Sequence, residues 1–188
     1  MKRIGLFLLM ALVFLFPLVQ PGYGQEPVNK ELIKLGQGAR TKMIIGTVYL
    51  ASLYVPAELK DKPAADLVNA EKPTAVILQI ETGMLTRDRF VSAIREGFEK
   101  AAGSGFKTDQ GEAFVKLFNA VEFKKGDFVG LNYDPASGVT ASLTSPGGAP
   151  KVLGSVAGLA FKKALWAIWL GPDPVQDSTK KGMLGQKK

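Results

Sequence analysis

The 188-residue sequence contains no histidine and no cysteine. Without histidine, Ser-His-Asp and Cys-His mechanisms are excluded, and so is a zinc or haem held by histidine. Without cysteine the chain has no disulfide, no thiol nucleophile and no attachment point for a bacterial lipoprotein anchor. Any acid–base chemistry would fall to Asp, Glu, Lys, Tyr or a water polarised by arginine. We therefore expect neither a metal nor a cofactor.

The first 24 residues have the pattern of a cleavable secretory signal peptide. Lys2 and Arg3 precede an apolar run over residues 4–19, and the small residues Gly22 and Gly24 follow it. The run is short for a bilayer span, which needs about 20 residues. An uncleaved anchor remains the alternative. We predict cleavage close to Gln25 and export, to the periplasm if the source is a Gram-negative bacterium.

Removing these 24 residues leaves residues 25–188, a length typical of one domain. This part holds 22 basic and 17 acidic residues, a net charge of +5. Such a charge suits an anionic ligand or contact with an anionic membrane surface. Solubility alone explains it equally well. We expect no nucleic-acid partner for an exported protein.

The hydrophobic pattern predicts an α+β domain. The chain is expected to open with a strand, a turn at residues 36–42 and a longer strand to about residue 55. A helix at 63–69, a strand at 74–80 and helices at 86–102 and 109–121 follow. The remaining predicted elements are a hairpin of 128–133 with 139–143, a loop at 145–150, and helices at 157–170 and 173–184. Strands followed by helices favour an antiparallel sheet with helices packed on one face. An apolar ligand pocket fits between two such layers.

Two neighbouring segments carry a family resemblance. Residues 36–42 (GQGARTK) and 47–55 (TVYLASLYV) resemble the opening hairpin of chalcone isomerase-like proteins, and the similarity extends over residues 31–184. The resemblance implies an open-faced β-sandwich, with a large antiparallel sheet carrying a helical layer. The family includes plant chalcone isomerases, which close a flavanone ring, and plastid relatives that bind fatty acids. Function must therefore be argued from the site.

The resemblance places the plant enzyme's site on six positions of this chain. The enzyme's arginine is kept as Arg40. The resemblance places its threonine at Tyr49, its lysine at Glu81, its tyrosine at Phe90, its asparagine at Gly97 and its second Thr/Ser at Ile168, so these five are replaced. Each lost donor would lower the rate of ring closure by about 10²-fold or more. Arg40 with Tyr49 resembles the carboxylate-holding pair of the fatty-acid-binding relatives, and a guanidinium binds a carboxylate bidentately. We predict a ligand site at Arg40, Tyr49, Phe90 and Ile168, without catalytic residues.

The leading hypothesis is a non-catalytic periplasmic binding protein for a fatty acid or a similar apolar carboxylate. One alternative is an intramolecular lyase or isomerase that uses Arg40 and Tyr49 on a small unsaturated substrate. Another is an envelope structural protein without a ligand. If these residues have only a structural role, Arg40 pairs with an acidic neighbour such as Glu81 or Glu112, and Tyr49 is a core residue of the strand.

Overall fold

The computed structural model describes residues 29–186. The predicted signal peptide lies outside the described residues. Within residues 29–186, no helix combines the length and hydrophobicity that a membrane span requires.

Between residues 29 and 186, six antiparallel strands form one sheet in which each strand pairs with the next along the chain. The strands are β1 (Ile33–Lys42), β2 (Gly46–Val55), β3 (Thr74–Ile80), β4 (Phe128–Asp134), β5 (Gly138–Thr144) and β6 (Lys151–Val156). Short connections join β1 to β2, β4 to β5 and β5 to β6, which favours antiparallel pairing, whereas β2–β3 and β3–β4 are joined by longer segments that carry helices. β1 and β6 are consequently the two edges of the sheet.

In the described part of the chain, five α-helices accompany the sheet: α1 (Ala64–Asn69), α2 (Arg87–Gly103), α3 (Gly111–Lys116), α4 (Leu159–Leu170) and α5 (Asp177–Met183). A short 3-10 turn, Ala57–Leu59, precedes α1. The hydroxyl of Thr86 accepts the Arg89 N–H at 3.3 Å and caps α2, as the sequence predicts. α4 ends at Gly171, also as predicted. The α+β fold class is confirmed.

The main core lies between the sheet and the helices, and α4 is its centre. From Ala164 to Leu170 every residue of α4 is buried, and the helix contacts α1, α2 and β5. Phenylalanines of α2, α3 and α4 form a connected ring cluster, with the Phe98 and Phe114 centroids 6.3 Å apart and those of Phe114 and Phe161 5.4 Å apart. The apolar stripes of these helices are thus packing surfaces.

The prediction of a turn at residues 36–42 is wrong, because β1 continues through this segment to Lys42. The turn lies at residues 43–45 and is followed by Gly46, whose φ is 75°. Gly36 and Gly38 are typical of a turn, but here they allow the backbone of another element to approach closely. A Cβ on either would overlap the backbone of α5, which crosses β1 there.

Two other elements differ from the sequence prediction. The sequence does not predict β6, because Gly154 interrupts the hydrophobic pattern of this segment. The helix expected over residues 109–121 is limited to α3, and turns follow it over residues 117–120. The predicted helix is too long because apolar residues continue at a spacing of three to four positions after α3 has ended.

Candidate functional site

A cavity of about 120 Å³ lies between the β1–β2 hairpin and helices α2 and α4. Its wall is mainly apolar and includes Val48, Leu78, Leu85, Ile94 and Phe90. Exposed residues, among them Lys42 and Met84, form part of the lining, so the cavity opens to solvent on that side. A concave apolar site with few polar groups is the usual form of a small-molecule site.

Arg40 and Tyr49 lie opposite each other on β1 and β2 and both line the cavity. Cross-strand partners share one face of a sheet, which brings their side chains together. The next pair in register is Thr41 with Thr47, so Val48 is an extra residue on β2. This β-bulge turns the strand locally, and as a result the consecutive residues Val48 and Tyr49 both face the cavity.

The guanidinium of Arg40 is held by neutral groups. Its Nη1 donates to Gln176 Oε1 at 2.9 Å and, more weakly, to the Thr41 carbonyl at 3.3 Å. Gln176 in turn accepts the Thr41 N–H at 3.0 Å and donates from Nε2 to Thr41 Oγ1 at 3.0 Å. This glutamine, just before α5, therefore fixes the end of β1 and orients the arginine.

The predicted structural alternative for Arg40 is wrong. Across residues 29–186, no carboxylate approaches Arg40 within 4.0 Å. Glu112 pairs instead with Arg95, through two hydrogen bonds of 2.7 and 2.8 Å. The positive charge at the cavity wall is therefore not neutralised by an ion pair within the described chain.

The Tyr49 hydroxyl accepts a hydrogen bond of 3.0 Å from Nε1 of the buried Trp169. Because this bond uses a lone pair of the oxygen, the phenolic proton remains available for a ligand. Burial raises the pKa of the Tyr49 hydroxyl, although the Trp169 bond and the Arg40 charge act in the opposite direction. Tyr49 is therefore a neutral hydrogen-bond donor at physiological pH and a poor general base.

Phe90 and Ile168 form an apolar wall of the same cavity. The Phe90 ring packs on Phe118 and Phe123, with centroid distances of 4.9 and 4.7 Å. Gly97 also lines the cavity, and Ile168 fills the space next to it. Glu81 is not among the described lining residues. All four predicted site residues thus meet at one cavity, and its wall carries no polar side chain at Phe90, Gly97 and Ile168.

Sequence reasoning missed the supporting residues Trp169 and Gln176. An indole N–H in an apolar helix needs a partner, which was the available signal for Trp169. Gln176 lies 136 positions from Arg40, and no sequence pattern joins them. Tyr54, by contrast, packs with Leu32, Ala75 and Ile77 in a separate core cluster.

The cavity also has a basic lining that the sequence did not indicate. Among the described lining residues, Arg40, Lys42, Arg89 and Lys100 contribute four cationic side chains, against the single carboxylate of Glu96. Lys100 is paired with Asp173 at 2.9 Å. The site therefore combines net positive charge, one neutral donor and an apolar interior, which together suit an anion with an apolar tail.

Comparison with known proteins agrees with this architecture. The model of the chalcone isomerase-like family matches residues 24–185. A fatty-acid binding protein of Arabidopsis thaliana has a similar structure, with a TM-score of 0.61 and 22% sequence identity over 88% of this chain and 94% of that protein. None of the curated proteins matches the sequence. With the family match spanning nearly the whole described chain, this protein belongs to the chalcone isomerase-like family.

Proposed function

We propose that the protein binds a fatty acid, or a similar apolar carboxylate, without transforming it. The observation that carries this proposal is the pair at the cavity wall. Arg40 has no carboxylate partner among residues 29–186, and the neutral hydroxyl of Tyr49 lies beside it. A carboxylate placed there receives a charged donor and a neutral donor, while its chain contacts the apolar wall.

The two parts of such a ligand have different roles. A hydrogen bond to a charged group contributes about 1.5–3 kcal/mol, which selects the head group. Each buried methylene contributes roughly 0.8 kcal/mol, so the tail supplies most of the affinity before association costs. The cavity volume of about 120 Å³ resembles that of an apolar cavity of roughly 150 Å³ that holds benzene. It accommodates part of an acyl chain, and the rest extends through the open side.

Two further points support binding over catalysis. The neighbouring structure from Arabidopsis thaliana is described as a fatty-acid binding protein, and its fold is shared here. Ring closure requires positioned donors that stabilise a phenolate and deliver a proton. Phe90, Gly97 and Ile168 have no donor in their side chains.

We also propose that binding takes place outside the cytoplasm, in the periplasm of a Gram-negative source. The support is the order of charged, apolar and small residues over positions 1–24. N-terminal sequencing of the protein from a cell-envelope fraction tests this. Recovery of chains that begin near Gln25 agrees with export, and recovery of chains that begin at Met1 contradicts it.

Native mass spectrometry of protein purified without detergent tests the proposed ligand class. We expect a co-purified acyl carboxylate at one per chain, and rebinding of a fatty acid after its removal. Arg40→Ala should weaken this rebinding. The matched control is Arg95→Ala, which should leave it unchanged, since Arg95 is an exposed arginine of α2 already paired with Glu112. An empty protein that also fails to bind medium-chain and long-chain fatty acids would refute the proposal.

A further inference from the structure

The turn between β1 and β2 exposes two large apolar side chains. Met43 is 103% exposed and Ile44 is 94% exposed, so neither side chain contributes to the packing of the domain. We call these two residues the hairpin tip. Single exposed apolar residues are ordinary on a protein surface, but two adjacent and fully exposed ones at the end of a hairpin form a protruding apolar point.

The hairpin tip lies at the mouth of the cavity. The residues on either side of it, Lys42 and Ile45, both line the cavity. Met84, which is 50% exposed, lines it from the loop between β3 and α2. That loop is held by Arg89, whose Nη1 donates to the Met84 carbonyl at 2.8 Å.

Exposed basic side chains lie on both segments at the cavity mouth. Lys42 adjoins the hairpin tip and Arg89 contacts the Met84 loop, and both side chains are exposed. Together with Arg40 and Lys100 they outnumber the single carboxylate of Glu96 in the cavity lining. Apolar side chains that enter the acyl boundary, with cations at head-group level, are the combination that binds an anionic bilayer surface.

We infer that the hairpin tip docks the protein on an anionic lipid bilayer. Met43 and Ile44 enter the interface, Lys42 and Arg89 contact the lipid phosphates, and the open side of the cavity faces the membrane. An acyl chain then moves between bilayer and cavity without crossing water. This last step rests on the proposed function, whereas the docking itself does not.

Co-sedimentation with vesicles of phosphatidylglycerol and phosphatidylcholine tests the docking. We expect the protein to partition onto anionic vesicles, less strongly at high salt, and weakly onto pure phosphatidylcholine. The double variant Met43→Ser with Ile44→Ser should lower the partition coefficient at least about tenfold, because two exposed apolar side chains no longer enter the interface. Lys42→Glu should lower it on anionic vesicles only.

The matched control is Val152→Ser. Val152 is 64% exposed, but it lies on β6, at the opposite edge of the sheet from β1. Because all variants share the same N-terminus, any membrane contribution from that region cancels in the comparison. Equal partition of the tip variant and the Val152 variant would overturn the docking proposal, as would absence of binding to anionic vesicles.

Two additional measurements separate the outcomes. Light scattering reports whether the tip joins two copies of the chain; a parent dimer that the tip variant converts to monomer, with vesicle binding unchanged, would also overturn the proposal. Fatty-acid titration without vesicles reports the cavity alone. We expect the tip variant to keep its fatty-acid affinity, so loss of docking and loss of ligand binding are distinguished.

Discussion

The side chain of Ile168 occupies the space that a side chain at Gly97 would need. A Cβ built on Gly97 would lie 2.7 Å from Cγ2 of Ile168, well inside van der Waals contact. Both residues line the cavity, one on α2 and the other on α4. The residues at positions 97 and 168 are therefore coupled, since the isoleucine requires the glycine.

We predict that Gly97→Ala lowers the free energy of unfolding. Overpacking costs about 1–3 kcal/mol, and Cγ2 of a β-branched side chain cannot move away without a change of χ1. This exceeds the gain in helix propensity, which is about 1 kcal/mol. Gly103→Ala is the control on the same helix, because a Cβ there meets nothing within 4 Å. Urea denaturation of both variants compares them, and equal stability contradicts the steric account.

A second prediction concerns catalysis. The protein should not convert naringenin chalcone above the spontaneous rate, because Phe90, Gly97 and Ile168 supply no donors and Tyr49 remains protonated. An absorbance assay measures the conversion. Fast conversion that Arg40→Ala abolishes would show that the site is catalytic.

A third prediction concerns the Tyr49–Trp169 hydrogen bond. Tyr49→Phe keeps the ring but leaves the buried indole N–H of Trp169 without its acceptor, which costs about 1–3 kcal/mol of stability. It should also weaken fatty-acid binding mildly, since one neutral donor is lost. Thermal denaturation measures the first effect and calorimetry the second. Unchanged stability would indicate that Trp169 finds another acceptor.

Lys162 of α4 is a buried lysine away from the cavity. Its Nζ donates to three carbonyls at the end of α1, at distances of 2.8–3.0 Å; they belong to Leu67, Val68 and Ala70. Burial lowers the pKa of Lys162 to about 7, and the charge of Lys163 adds to the effect. In the unfolded chain its pKa returns toward 10.5.

The fourth prediction follows from this difference in pKa. Between pH 7 and 10.5 the unfolded chain binds more protons at Lys162 than the folded chain, so the free energy of unfolding rises with pH by up to about 1.4 kcal/mol per unit. Below pH 7 both states are protonated and the contribution is flat. Denaturant titrations at several pH values should show this rise in the parent and not in Lys162→Met. Equal slopes would mean that the three carbonyls keep the ammonium charged.

Periodicity and end signals predict those elements that depend on local physics. Thr74–Ile80 is a continuous apolar strand, and Thr86 and Gly171 mark helix ends, so these elements agree with the structure. Gly36 and Gly38 misled because their role is close approach to α5, which is a tertiary contact.

Part of the candidate site was likewise predictable from the sequence and part was not. The resemblance identified Arg40 and Tyr49, and register on adjacent strands brings them together. Gln176 was not predictable, because it meets Arg40 only through the packing of segments 136 positions apart. The bulge at Val48 depends on the register of β1 and β2, which the misplaced turn could not give. The sequence does not predict the exposed hairpin tip, because it favours a turn at residues 36–42 and the turn lies at residues 43–45.

Isothermal titration calorimetry of a fatty acid and the matching fatty alcohol shows directly whether Arg40 holds a carboxylate. The proteins compared are the parent, Arg40→Ala and Arg95→Ala. We predict that Arg40→Ala weakens the acid by about tenfold or more and barely affects the alcohol, because only the acid loses a charge-assisted bond. Arg95→Ala should change neither. Equal losses for acid and alcohol in Arg40→Ala, or no binding of the acid by the parent, would show that Arg40 does not hold a carboxylate.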